Sequence, residues 1–418
     1  MSDTTIHIET LGAQGDGIAQ TDAGPLYVPY TLPDETVEVT PQEAGRATLK
    51  RIVTPSPHRV KPPCRHFGQC GGCALQHLDE ESYRDWKAGL VANALAHRGL
   101  ETAIEPLVVS RPHSRRRATL AATRTKKSVT LGYYARGTHN IVPVSECPLV
   151  VPEIENALPG LAALVAPGLS RKGRAAIAVT STRSGLDVAV TGGKPLDDTE
   201  DSDLRAALAK GAEEMDLARL SWEGEILAER RPPMIRLGRL DISLPPGGFL
   251  QATAEGEAVL SSHVAAMAGH ARHIVDLFAG AGTFAASLAE TAAVHAVESD
   301  ADALQRLARA VRDQGPVLGL KPLATERRDL FRRPLLASEL DKYDAVVIDP
   351  PRAGAQAQAV ELAKSRVPRI VFVSCNPASF ARDARMLVDG GYKLVSVTPV
   401  DQFLWSAHVE LVALFTRE

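Results

Sequence analysis

Asp276-Leu277-Phe278-Ala279-Gly280-Ala281-Gly282-Thr283 follows the apolar run 274–278 and opens an alanine-rich stretch with helical spacing. Glycines at such a strand-to-helix turn let the backbone pass close to a ligand and aim helix N-terminal amides at it. Outward from this turn, a helix-like stretch at 254–268 precedes it, and apolar runs at 294–298, 345–349, 369–374, 394–398 and 408–415 follow, with helices between them. Strands apolar on both faces and separated by helices predict a parallel, doubly wound α/β sheet over residues 246–418.

Upstream the character differs. Residues 1–55 read as short strands broken at Gly15-Asp16-Gly17, Ala23-Gly24-Pro25 and Leu32-Pro33-Asp34, a spacing that suggests a small β-barrel. A proline-rich linker, 55–63, opens a central region over 56–245. Helical spacing at 83–98 and 203–215, with alternation at 119–124, 129–134 and 176–190, predicts an α+β domain there.

The 418 residues carry 44% hydrophobic and 23% charged side chains, the composition of a globular protein with real cores rather than a disordered, collagenous or coiled-coil chain. No apolar run is long enough for a membrane-spanning helix. The start MSDTTIHIET has neither the basic nor the apolar region of a secretory signal, so a cytoplasmic, reducing setting is expected for the five cysteines. The formal charge of −3 hides an asymmetry: residues 46–140 hold 17 Lys and Arg against 6 Asp and Glu, and 111–136 hold eight cations and no acid. That is the footprint expected for a polyanion such as RNA, with a salt-bridged surface as the bland alternative.

Glu298 ends the strand after the glycine turn, where a carboxylate takes the hydroxyls of a ribose. A dinucleotide site remains compatible with the turn, since Ala285 in the third glycine place is a permitted variant, and that leaves a nicotinamide oxidoreductase as a rival. Yet Asp276, Glu298, Asp329 and Asp349 all stand at or just after strand ends. Such acids repel a pyrophosphate and attract a sulfonium and an α-amino group, which favours S-adenosylmethionine. Asp349-Pro350-Pro351-Arg352 and Ser374-Cys375-Asn376-Pro377 leave adjacent strands toward the same crevice. Cys375 there reads as a nucleophile rather than a small buried hydrophobe. Glu410, in a strand otherwise apolar, reads as a general acid or base, or else as half of a salt bridge. Cys64, Cys70, Cys73 and Cys147 have the spacing of a four-thiolate metal site, and spacing leaves iron–sulfur and zinc both open.

Together, Phe249-Leu250-Gln251, the glycine turn, Glu298, Asp349–Arg352, Ser374–Pro377 and His408-Val409-Glu410 occur in the order found in the RNA 5-methyluridine methyltransferases, and the chain resembles that family. The resemblance implies a class I (Rossmann-like) methyltransferase domain at 246–418 and a TRAM-like RNA-binding barrel at 1–55. It implies S-adenosylmethionine-dependent methylation of uridine C5, with Cys375 attacking C6 and Glu410 taking part in proton transfer. Gln251, Phe278, Glu298 and Asp349 are the implied cofactor contacts, with Thr283 and Asp329 beside them. In the ribosomal branch the four cysteines hold a [4Fe-4S] cluster, so ribosomal RNA is favoured over tRNA, and a monomer is expected. Methylation of tRNA uracil or of RNA cytosine, and a non-catalytic RNA-binding iron–sulfur protein, are the alternatives.

Overall fold

The computed structural model describes residues 3–126, 128–196 and 202–417. At the N-terminus, Thr4–His7, Thr36–Pro41 and Ala47–Thr54 form one antiparallel sheet, and Thr10–Leu11, Asp16–Thr21 and Gly24–Pro29 form another. They enclose a small core of Ile8, Ala19, Val28, Val37, Val39 and Ala47.

The central sheet has seven strands, in the order Ile141–Pro143, Val129–Tyr134, Arg117–Arg124, Arg174–Thr182, Gly185–Thr191, Arg219–Trp222 and Glu225–Glu229. The alternation at 176–190 is not one strand but a hairpin, with Thr182 opposite Gly185 and Gly185 at φ 119° supplying the turn. Helices Pro152–Val165 and Ser202–Glu214 pack on this sheet. The first is absent from the sequence reading. Its buried residues Ile154, Leu158, Leu161 and Val165 keep helical spacing, but the internal Pro159 disguises it.

The C-terminal sheet runs Leu323–Arg327, Ala293–Glu298, His273–Leu277, Ala345–Ile348, Arg369–Ser374, Glu410–Thr416, Lys393–Asp401 and Ala103–Ile104. The first five strands are parallel, as expected. Glu410–Thr416 is antiparallel to both neighbours, a correction to the all-parallel expectation. The cause is local: only residues 402–409 join it to Lys393–Asp401, too few for the crossover that parallel pairing needs.

The stretch 56–245, expected as one domain, divides among three sheets, of which Met234–Leu237 and Leu240–Ser243 form a separate hairpin. Helix Glu80–Ala96 and the short strands Ala103–Ile104 and Val108–Val109 belong to the C-terminal layer. Val91, Leu95, Leu100 and Leu107 share its core with Phe372, Phe380 and Phe415. Among the described residues no helix is long and apolar enough to cross a membrane.

Candidate active site

The glycine turn is built as its sequence requires. Phe278 leaves the strand at φ 62°, an uncommon conformation for a bulky residue, and Gly280 and Gly282 follow at φ 55° and 94°. A Cβ on Gly282 would lie 2.7 Å from Leu307, whereas at Gly280 it would meet nothing within 4 Å, so the backbone there faces open space. Asp276 is fully buried, and one carboxylate oxygen accepts from the Ala285 amide at 2.9 Å. Asp276 thus fixes the following helix to the strand rather than facing the ligand, which removes it from the acidic rim.

Beyond the strand ends lies a cavity of about 970 Å³. Gln251, Phe278, Thr283, Glu298, Asp329 and Asp349 line it, and so do Cys375 and Glu410. The Glu298 carboxylate is held by the amides of Gly280 (3.0 Å), Ser299 (2.6 Å) and Asp300 (2.9 Å), so its orientation is set in advance. Asp329 is held likewise by the Phe331 amide at 3.0 Å. The Gln402 amide donates to Gln251 at 2.8 Å, which turns the Gln251 amide toward Asp349 at 3.5 Å. The Phe278 and Phe331 rings lie 5.3 Å apart beside these acids. An acid oriented in advance, a flat apolar surface and partly buried carboxylates together suit an adenosyl sulfonium.

The two reactive loops are tied to each other. The Asn376 side chain and the Ser379 hydroxyl donate to the Arg352 carbonyl at 2.9 and 3.1 Å, and Arg382 donates to the Ala353 carbonyl at 2.9 Å. Cys375 is therefore fixed relative to Asp349. Burial pushes its thiol up to about 12, aided by Glu410 and Asp349 and opposed by Arg352. Burial likewise drives Asp349 up to about 7. Glu410, 4% exposed, is raised well above the carboxylate range by burial and then by Asp349. It forms no ion pair among the described residues, so the salt-bridge reading of Glu410 is not what the structure contains. A bound sulfonium would favour the ionised forms of these carboxylates and so oppose the effect of burial.

That shift has a stability consequence. The folded chain keeps a proton on Asp349 that the unfolded chain releases above the ordinary carboxylate range, so stability falls as pH rises toward about 7. Asp349→Asn is expected to raise the melting temperature of the ligand-free protein above pH 7 while weakening S-adenosylmethionine binding. Melts on either side of that pH, with calorimetric titration, check both; a lower melting temperature above pH 7 would contradict the assignment.

Glu410 is also held from afar. Its strand begins at 410, so His408, expected within it, lies on the preceding arm. Lys87, fully buried on helix Glu80–Ala96, pairs with Asp401 at 2.8 Å and donates to the Phe403 and His408 carbonyls, closing the arm on itself. Tyr83 donates to Asp401 at 2.5 Å and accepts from the Trp405 amide at 2.8 Å. From the cysteine loop, the Ala74 and Leu75 amides donate to the Trp405 carbonyl at 2.7 and 3.1 Å. Sequence reasoning missed this network because its members are distant in the chain. Lys87→Met, which strands a buried carboxylate, is expected to cost about 3–5 kcal/mol in denaturant unfolding.

Cys64, Cys70, Cys73 and Cys147 line the same cavity as Cys375, and none is in a disulfide. Among the described residues no three His, Cys, Asp or Glu side chains are disposed to hold a metal ion. The basic segment is partly neutralised from outside: Arg59 pairs with Glu35, Arg65 with Glu146, Arg116 with Glu257 and Arg136 with Asp16. Part of the charge that reads as an RNA footprint therefore ties distant segments of the chain together.

Comparison with known proteins agrees with this geometry. The family model described as tRNA (Uracil-5-)-methyltransferase matches residues 319–418. An RNA methyltransferase of Brucella suis is 51% identical over 415 residues, 99% of this chain and 97% of the relative. The 23S rRNA (uracil(1939)-C(5))-methyltransferase RlmD of Shewanella woodyi is 31% identical, over 98% of this chain and 95% of its own. The crystal structure of Pyrococcus abyssi tRNA (uracil-54, C5)-methyltransferase in complex with S-adenosyl-L-homocysteine superposes with a TM-score of 0.74 at 22% identity, covering 99% of this chain and 100% of that one, and shows the shared fold. The chain belongs to the RNA uracil-5-methyltransferase family, enzymes that methylate RNA with S-adenosylmethionine.

Proposed function

We propose that this protein methylates C5 of a uridine in ribosomal RNA through a covalent bond between Cys375 and C6. The observation that carries the reading is the meeting of Cys375, Glu410 and Asp349 in one cavity, where both carboxylates raise the Cys375 thiol and Asp349 raises Glu410. S-adenosylmethionine supplies the electrophilic methyl group, and Gln251, Phe278, Thr283, Glu298, Asp329 and Asp349 would hold it. The Cys375 thiol gives up its proton to water as its sulfur adds to C6, and the electron pair of the C5–C6 double bond moves toward O4, which makes C5 nucleophilic. Once C5 is methylated, Glu410 removes its proton; the double bond reforms and the C6–sulfur bond breaks. The base must leave any helical stack to reach this depth.

Cys64, Cys70, Cys73 and Cys147 would hold a [4Fe-4S] cluster in this reading. The donor chemistry fits: four thiols line one cavity, with Cys73 interacting electrostatically with the other three. Such a cluster would cross-link the cysteine loop, which is hydrogen-bonded to the arm before Glu410. Anaerobic purification is expected to yield a coloured protein with iron and sulfide; a colourless protein with stoichiometric zinc would overturn this assignment.

The likeness to the 23S enzyme along nearly the whole chain favours ribosomal RNA over tRNA. The N-terminal sheet pair would act as a TRAM-like RNA-binding module of a cytoplasmic monomer. Methyl transfer to 23S and tRNA transcripts, with nucleoside analysis of the product, tests the reading. It predicts 5-methyluridine in 23S RNA; methyl groups only in tRNA, or on cytosine, would refute the corresponding part.

A further inference from the structure

Arg115, Arg116 and Arg117 enter the central sheet in extended conformation, so the first and third side chains share one side and the second takes the other. The backbone is fixed: the Arg115 amide donates to the Leu149 carbonyl, the Val151 amide to the Arg115 carbonyl and the Arg116 amide to the Ala252 carbonyl, each at 2.9 Å. Arg116 reaches Glu257 at 2.6 Å. Nearby, Arg111 lies 3.4 Å from Glu255, and Arg136 2.7 Å from Asp16. Arg115 and Arg117 are different: among the described residues neither has a carboxylate within ion-pair distance. Arg115 instead donates to the Arg117 carbonyl at 3.0 Å and sits 5.6 Å from the Phe403 ring centroid, while Arg117 sits 5.7 Å from that of Phe249. Arg115, Phe249 and Phe403 all line the cavity that holds Cys375.

Two half-buried cations side by side, with no anion, are costly unless a ligand brings one. Burial and the Arg115 charge both push the Arg117 guanidinium down from its ordinary value. We propose that Arg115 and Arg117 form a clamp for a backbone phosphate of the RNA strand next to the target uridine. The inference rests on the proposed function and adds to it the grip on the strand. Guanidinium forks match phosphate oxygens in geometry and charge, and aromatic faces keep their planes aligned. A phosphate fixed there sets the register of the strand without reading its sequence.

Equilibrium binding of a fluorescein-labelled single-stranded oligouridylate, followed from low to physiological KCl, tests the clamp independently of turnover. Each of Arg115→Gln and Arg117→Gln is expected to reduce the steepness of log K against log salt by about 0.7, and Arg117→Lys to retain the wild-type slope. Affinity for S-adenosylhomocysteine should stay within twofold of wild type. Unchanged slopes in both Gln variants would overturn the clamp. So would an intact slope with lost S-adenosylhomocysteine affinity, which would assign the pair to the cofactor carboxylate. Should either variant fail to fold, phenylglyoxal modification of the wild type decides: the oligouridylate, and not S-adenosylhomocysteine, should protect both arginines. A wild type that shows the protection but transfers no methyl group would refute the proposed function and leave the clamp standing.

Discussion

Cys375→Ala is expected to lower methyl transfer at least about 10⁴-fold while leaving RNA and S-adenosylmethionine affinities near wild type. Without sulfur at this position nothing can add to C6, and C5 stays a poor nucleophile. Binding should persist because the cofactor contacts are carried by other elements. Gly280 and Ser299 orient Glu298, and Gln402 orients Gln251, with no help from residue 375. The variant should also give no denaturant-resistant complex with RNA containing 5-fluorouridine, a base from which the enzyme cannot remove a C5 proton. Single-turnover transfer and gel analysis read both effects. Residual transfer within tenfold of wild type would show that another group, or no covalent step, does the chemistry.

Glu410→Gln should separate the two halves of the reaction. The amide cannot take the C5 proton, so turnover is expected to fall about 10²–10⁴-fold. The adduct should now accumulate even on RNA with unmodified uridine, because release from Cys375 waits for that proton. A second effect has the opposite sign. The Glu410 carboxylate is, after burial, the strongest influence raising the Cys375 thiol, so its removal should bring that thiol down from about 12. Iodoacetamide alkylation of Cys375, followed against pH, should therefore have its midpoint lower in the variant than in the wild type. Lost turnover with slower alkylation and no adduct would point instead to a displaced strand.

Most of the site was legible because its chemistry sits in short local motifs at strand ends. The glycine turn, Asp349 to Arg352, and Ser374 to Pro377 each fold as one strand-to-loop unit, so their spacing carries their geometry. Glu410 was legible as a carboxylate out of place in an apolar strand. What escaped was set by contacts distant in sequence. Lys87 and Asp401 meet across 314 positions, and no local pattern predicts a lysine buried for that purpose. The acidic partners of the basic segment, such as Asp16, Glu35 and Glu257, lie mostly outside it, so a local count of charge overstated what is left for RNA. Helix Glu80–Ala96 reads as part of the domain it precedes, yet its apolar side completes the core of the C-terminal sheet. Helical spacing shows that a face will be buried, and leaves the partner open. Asp276 shows the converse: a residue whose place in the motif suggested ligand contact turned out to organise the backbone.

The covalent step is the centre of the account, and mass spectrometry of the trapped complex tests it most directly. The protein is incubated with S-adenosylmethionine and RNA containing 5-fluorouridine, then digested with protease and nuclease. The account predicts one modified peptide, spanning Cys375 and carrying a 5-fluoro-5-methyl dihydrouridine nucleotide on its sulfur. Methylated RNA with an unmodified Cys375 peptide, or attachment at any of the other four cysteines, would contradict it.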